Sequence, residues 1–155
     1  MVMFLSAAEG ELDLGALIPS LDSVLGVLDL LMRMLVLAGP LCLLGFGLFF
    51  FLKPPKEANY SAGYRFRYGM SKVKVWQWMQ WLAGMVYGGL GLVLTVVMGI
   101  VCIRFGSMEA PDMVWSALTC LIWEVVLVAL ATAAINITVM VRYDRKGNLR
   151  KQKEE

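Results

Sequence analysis

Three long apolar stretches separated by polar ones organise this chain. Met34 to Leu52 is a run of 19 residues without a charge, and Trp81 to Ile103 is a run of 23. Met113 to Val141 is longer and holds one formal charge, Glu124. A bilayer core of about 30 Å needs roughly 20 helical residues at about 1.5 Å each, so each run predicts a membrane-spanning helix, the third with tilt or overhang. The pattern predicts an all-α membrane protein, a three-transmembrane-helix bundle over 34–141. An acidic segment at 1–33 precedes it, a loop at 53–80 interrupts it and a basic tail at 142–155 follows it.

Within the first segment, Leu14, Leu17, Ile18, Leu21, Leu25, Leu28 and Met32 recur at helical spacing, with Asp22, Gly26, Asp29 and Arg33 on another stripe. This predicts an N-terminal amphipathic interfacial helix over Leu14 to Met32; the alternative is one tilted rod that runs on into the first span. Asp29 and Arg33, four apart, are placed to pair. Met1 to Ala8 is apolar but has no basic start, and Glu9 follows at once, so no cleaved signal peptide is expected.

Composition agrees with the pattern. Hydrophobic residues make up 59% of the chain and the mean hydropathy is +0.71, which leaves too little polar sequence to coat a water-soluble globule. Net charge is only +2, but its distribution is uneven. Lys53, Lys56, Arg65, Arg67, Lys72 and Lys74 lie in the loop, Arg142, Arg145, Lys146, Arg150, Lys151 and Lys153 in the tail, and only Arg33 and Arg104 elsewhere. By the positive-inside rule the loop and tail are cytoplasmic and the N-terminus, with Glu9, Glu11, Asp13, Asp22 and Asp29, is outside.

The usual chemistry has no foothold. The chain has no histidine, and Cys42, Cys102 and Cys120 sit in or at the ends of apolar runs without paired spacing, which suits packing rather than a metal. Nucleophile–base pairs and glycine-rich phosphate loops are absent, so a non-enzymatic protein without cofactor, metal or nucleic-acid partner is expected. Small residues mark possible helix contacts: Gly84 with Gly88, Gly91 near the same side, and Ala129 with Ala133. These faces serve either inside the bundle or between copies in a homo-oligomer. Gly39-Pro40 predicts a bend in the first span.

Glu124 is the intramembrane residue that most needs a partner, since a carboxylate at a helix centre costs about 2.5 to 3.5 kcal/mol on insertion scales. Arg104 is the expected ionic partner. A functional role and a structural one, with the carboxyl protonated or hydrogen-bonded to a neighbouring helix, both remain open. Asn136 and Thr132 are further polar groups in this span, but Asn136 lies about 120° around the helix from Glu124, so they form no single stripe.

The loop carries the densest information. Pro54-Pro55 stops the first helix, Gly63 allows a close approach or a positive φ, and Ser71 is placed to N-cap a helix running through Trp76 and Trp81. Tyr60, Tyr64, Tyr68, Trp76, Trp78 and Trp81 form an interfacial aromatic belt. Asp144 to Asn148 reads as a turn after the last helix, and the basic tail suits anionic lipid.

The order Pro54, Pro55, Lys56, Asn59, Gly63, Tyr64, Arg65, Met70, Ser71, Lys72, Trp76 resembles the SdpI/YhfL-type family of small bacterial membrane proteins over about Lys53 to Gly84. There are two departures from that pattern, Phe66 where threonine is usual and Met79-Gln80 where Ala-Asn is common. The resemblance implies immunity to a secreted peptide toxin with signal reception in the bacterial cell membrane. The toxin, a cytoplasmic or membrane protein and the lipid bilayer are the expected partners. A physical mechanism compatible with that role makes Arg65 the bidentate contact, held in place by Tyr64 and Trp76, with lipid phosphate as the alternative ligand of Arg65. Two other classes stay open: an accessory subunit of a larger membrane complex, and a small proton-coupled transporter using Glu124.

Overall fold

A computed structural model describes the backbone of residues 14–55 and 63–150, with side chains from residue 23 onward. Three helices follow in order: α1 (Leu14–Leu52), α2 (Val73–Phe105) and α3 (Ala110–Arg142). All three are long and apolar enough to cross a membrane, so the chain is a multi-pass membrane protein with an all-helical bundle. Among the described residues there is no strand beyond an isolated bridge between Tyr143 and Leu149.

The first helix corrects the expectation of a separate interfacial segment. α1 is one continuous helix of 39 residues, about 58 Å at the standard rise, with no break near Arg33. Leu30 to Leu37 contains no helix breaker, so the hydrogen-bond ladder has no reason to stop there. The helical assignment also passes through Pro40, which is fully buried. The side chains of Leu14, Leu17, Ile18, Leu21 and Asp22, with Met1 to Asp13, lie outside the described residues.

α1 and α2 form the main seam. Gly84 faces the backbone of Phe50 and Phe51, Gly88 faces Gly47, and Gly91 faces Leu44. A Cβ on Gly84 would stand 2.6 Å from the Phe51 nitrogen and one on Gly91 2.5 Å from the Leu44 nitrogen. Dispersion rather than water drives helix association in lipid, and backbones can approach this closely only where side chains are missing. The predicted glycine face is therefore an internal seam, completed by Gly47 from α1. Ala129 and Ala133 behave differently: both are exposed on α3, away from the α1–α2 seam.

Leu52 ends α1 ahead of Pro54, and the four residues Gly106 to Glu109 turn α2 back into α3. Pro111 sits in the first turn of α3, where its missing N–H costs nothing. At this turn Arg33 takes a role that its spacing from Asp29 only half indicated. It pairs with Asp29 at 2.8 Å and also donates at 2.6 Å to the carbonyl of Cys102, one of the last four of α2. Those carbonyls carry the negative end of the helix dipole and have no partner within the helix. Arg33→Gln is expected to lower stability by about 1 to 2 kcal/mol, seen as a drop in melting temperature of the detergent-solubilised protein. Arg104→Gln, at an exposed position, should stay within about 0.5 kcal/mol of wild type.

The core runs the length of the bundle. Val36, Leu94, Met98, Cys102, Phe105, Met113 and Ala117 fill the end near the α2–α3 turn, Ala83, Tyr87 and Ile135 the middle, and Trp76, Met79 and Val139 the opposite end. Large apolar side chains such as Ile103, Trp115, Val125 and Leu130 point outward, as a lipid-facing surface requires.

Candidate functional site

The loop after α1 folds back onto the bundle through four linked contacts. Trp76, fully buried in the first turn of α2, donates its indole N–H to the Pro55 carbonyl at 2.9 Å, closing the loop at its base. Gly63 lies on the Trp76 ring with φ of 122°, and a Cβ there would come within 2.6 Å of that ring. Only glycine meets both demands.

Tyr64 comes next and is held from both sides of its peptide backbone. Its N–H donates to Gln80 Oε1 at 2.8 Å, and its carbonyl accepts from Gln80 Nε2 at 2.7 Å. Gln80 is fully buried, one helical turn after Trp76. The side chain of Tyr64 then enters the bundle and donates to Asn136 Oδ1 on α3 at 2.7 Å, with its ring edge-on to Tyr87. Tyr87 and Thr132 share a hydrogen bond of 2.9 Å alongside. Burial, reinforced by Tyr87, pushes the Tyr64 phenol up to about 12, so it remains a neutral donor at physiological pH.

Loop and tail then close on each other. Asp144 accepts from the backbone N–H groups of Lys146 and Asn148, which forms the predicted turn and holds its carboxyl below the usual range. Gly147 takes φ of 72° at the tip, and a Cβ there would meet Ser71 Oγ at 2.5 Å. Lys72 donates to Asn148 at 2.6 Å, Arg145 donates to the Tyr68 hydroxyl at 3.1 Å, and the Arg142 guanidinium lies 4.6 Å over the Trp78 ring. Two segments whose joining hydrogen bonds span 76 and 77 residues of sequence thus make one platform at one end of the bundle, with Arg65 and Arg67 exposed on it. No family model, curated protein or solved structure matches this chain.

Of the residues singled out in the sequence, Gly63, Tyr64 and Trp76 come together, and Asn136 joins them from α3. Ser71 does not cap α2: the helix begins one residue later, so Lys72 stands at the cap position with no side-chain cap bond, and Ser71 Oγ instead donates to the Tyr68 carbonyl at 2.8 Å. Lys56, Asn59 and Tyr60 lie outside the described residues. Arg104 forms no ion pair with Glu124; Glu124 Oε1 has no hydrogen-bond partner. Arg104 is exposed in the last turn of α2, whereas Glu124 lies about four turns into α3 from the same end of the bundle. Gln80 and Tyr87 were missed as site residues. For Gln80 the available signal was its position four after Trp76, which puts a polar side chain on the buried face of the same helix.

Proposed function

We propose that this chain is a non-enzymatic integral membrane protein of the bacterial cell membrane that gives immunity to a secreted peptide toxin and reports its presence inside the cell. In this reading the N-terminus is outside and the loop–tail platform is cytoplasmic, as the basic residues of loop and tail favour. The observation that carries the proposal is the Tyr64 link. Gln80 on α2 clamps the backbone of Tyr64, and the hydroxyl of Tyr64 donates directly to Asn136 on α3. A toxin bound from the outer face or the bilayer that shifts α3 changes what Asn136 offers Tyr64. That change alters the platform on which Arg65 is displayed for a cytoplasmic partner. The resemblance of Pro54 to Trp76 to the SdpI/YhfL-type pattern supports the same reading.

The test is survival of a toxin-sensitive bacterium expressing wild type or Arg65→Ala at matched membrane levels, challenged with peptides secreted by the native host. Wild type is expected to protect and Arg65→Ala to lose most of the protection. Equal protection by both would remove Arg65 from the mechanism. Protection by neither would favour an accessory subunit of a larger membrane complex, for which the exposed Ala129 and Ala133 offer a small-residue helix face.

A further inference from the structure

A second feature lies away from the loop–tail platform. Between α1 and α3, with Leu94 of α2 at the back, is a cleft of about 460 Å³, within the range of ligand pockets. Its walls are apolar except at Glu124, the one charged residue lining it among the described residues. Phe46, Val125 and Ala129 line it and are exposed, so the cleft opens sideways toward the lipid.

Glu124 is only 7% exposed, and its Oε1 has no hydrogen-bond partner. Its Oε2 lies against Gly39, where a Cβ would come within 2.6 Å, so a glycine is what leaves room for the carboxyl. Pro40, on the same wall, has no N–H and cannot supply the helical hydrogen bond to the Val36 carbonyl. Pro40 thus brings no backbone donor to this wall, and among the described residues none reaches Glu124 Oε1. A buried carboxylate without a partner is costly, and a positive charge brought to it with its own apolar body offsets that cost while filling the cleft. Phe46 adds an aromatic ring beside the same space.

The geometry points to a binding site for a hydrophobic organic cation, a quaternary or protonated nitrogen or phosphorus centre on an apolar body, seated with its charge at Glu124 and reached from the bilayer. This binding does not depend on the immunity reading. It uses α1, α2 and α3 at mid-bundle and none of the platform residues.

The test uses the full chain in lipid nanodiscs and radiolabelled tetraphenylphosphonium, with empty nanodiscs subtracted for partition into lipid. Saturable binding of one cation per chain is expected, weakened at least about tenfold in Glu124→Gln, which keeps the shape and removes the charge. Neutral triphenylphosphine oxide should not compete. Ala129→Trp, which leaves Glu124 intact and fills the opening, should also abolish binding. Non-saturable binding to wild type, equal affinity of Glu124→Gln, or competition by the neutral compound would each overturn the assignment. Size-exclusion chromatography of each variant confirms that folded protein is compared.

Discussion

Replacing Gly84 with leucine is expected to destroy the fold, leaving little monodisperse protein after extraction in mild detergent. The physical reason lies in the α1–α2 seam, where a Cβ on Gly84 would stand 2.6 Å from the Phe51 nitrogen and 3.0 Å from the Phe50 carbonyl carbon. Those neighbours are backbone, which cannot swing aside as a flexible side chain can. Overpacking of this kind costs about 1 to 3 kcal/mol in ordinary cores, and here separating two helices would also forfeit the contacts of Gly47, Gly88 and Gly91. Gly89 is the control, being exposed with nothing within 4 Å of its would-be Cβ. Gly89→Leu should elute and melt like wild type in fluorescence-detected size-exclusion chromatography. If the two leucine variants melted together, the seam described here would be wrong.

The second large effect is expected at Gln80. Gln80→Leu fills similar space but leaves both the N–H and the carbonyl of Tyr64 without partners at a part-buried site. Each such orphan costs about 1 to 3 kcal/mol, so the loop should detach from the bundle before the helices separate. Limited trypsin digestion reads this directly, because Arg65 and Arg67 are exposed just after the clamped Tyr64. Cleavage at these sites should accelerate strongly in Gln80→Leu. Tyr64→Phe, which removes the hydroxyl's bond to Asn136 and its longer contact with the Thr132 carbonyl but keeps the backbone clamp, should show a smaller increase, in line with about 1 kcal/mol for one hydrogen bond. Digestion of sealed vesicles of each orientation also reports which side the platform faces. Unchanged cleavage in Gln80→Leu would mean that something other than this clamp holds the loop.

Much of the architecture was legible from residue order. Uncharged runs of sufficient length can only be helices in lipid, since every backbone N–H and C=O must find its partner within the segment. Pro54-Pro55 stops α1 and the Asp144–Asn148 stretch makes a turn for reasons confined to a few neighbouring residues. The Asp29–Arg33 pair was legible too, because helical spacing places residues four apart on one face. Less legible was where the amphipathic N-terminal stripe should end, since periodicity marks a face and not a break; α1 simply runs through it.

Local order thus determined the three spans, the stop after the first, the turn after the last and a glycine-bearing face on α2. What it left open was which faces meet. Gly84, Gly88 and Gly91 meet the α1 backbone at Phe50–Phe51, Gly47 and Leu44, while Ala129 and Ala133, also small and four apart, are exposed on α3. The same holds for polar groups. Glu124 and Arg104 were matched by opposite charge, yet the structure gives Arg33 to the end of α2, Asn136 to Tyr64, and, among the described residues, no ionic partner to Glu124. Charge and size say what a side chain can do, but its partner depends on the rotation and register of whole helices. Those are set by many small dispersion contacts along the seams, a sum over distant residues that tertiary structure alone resolves.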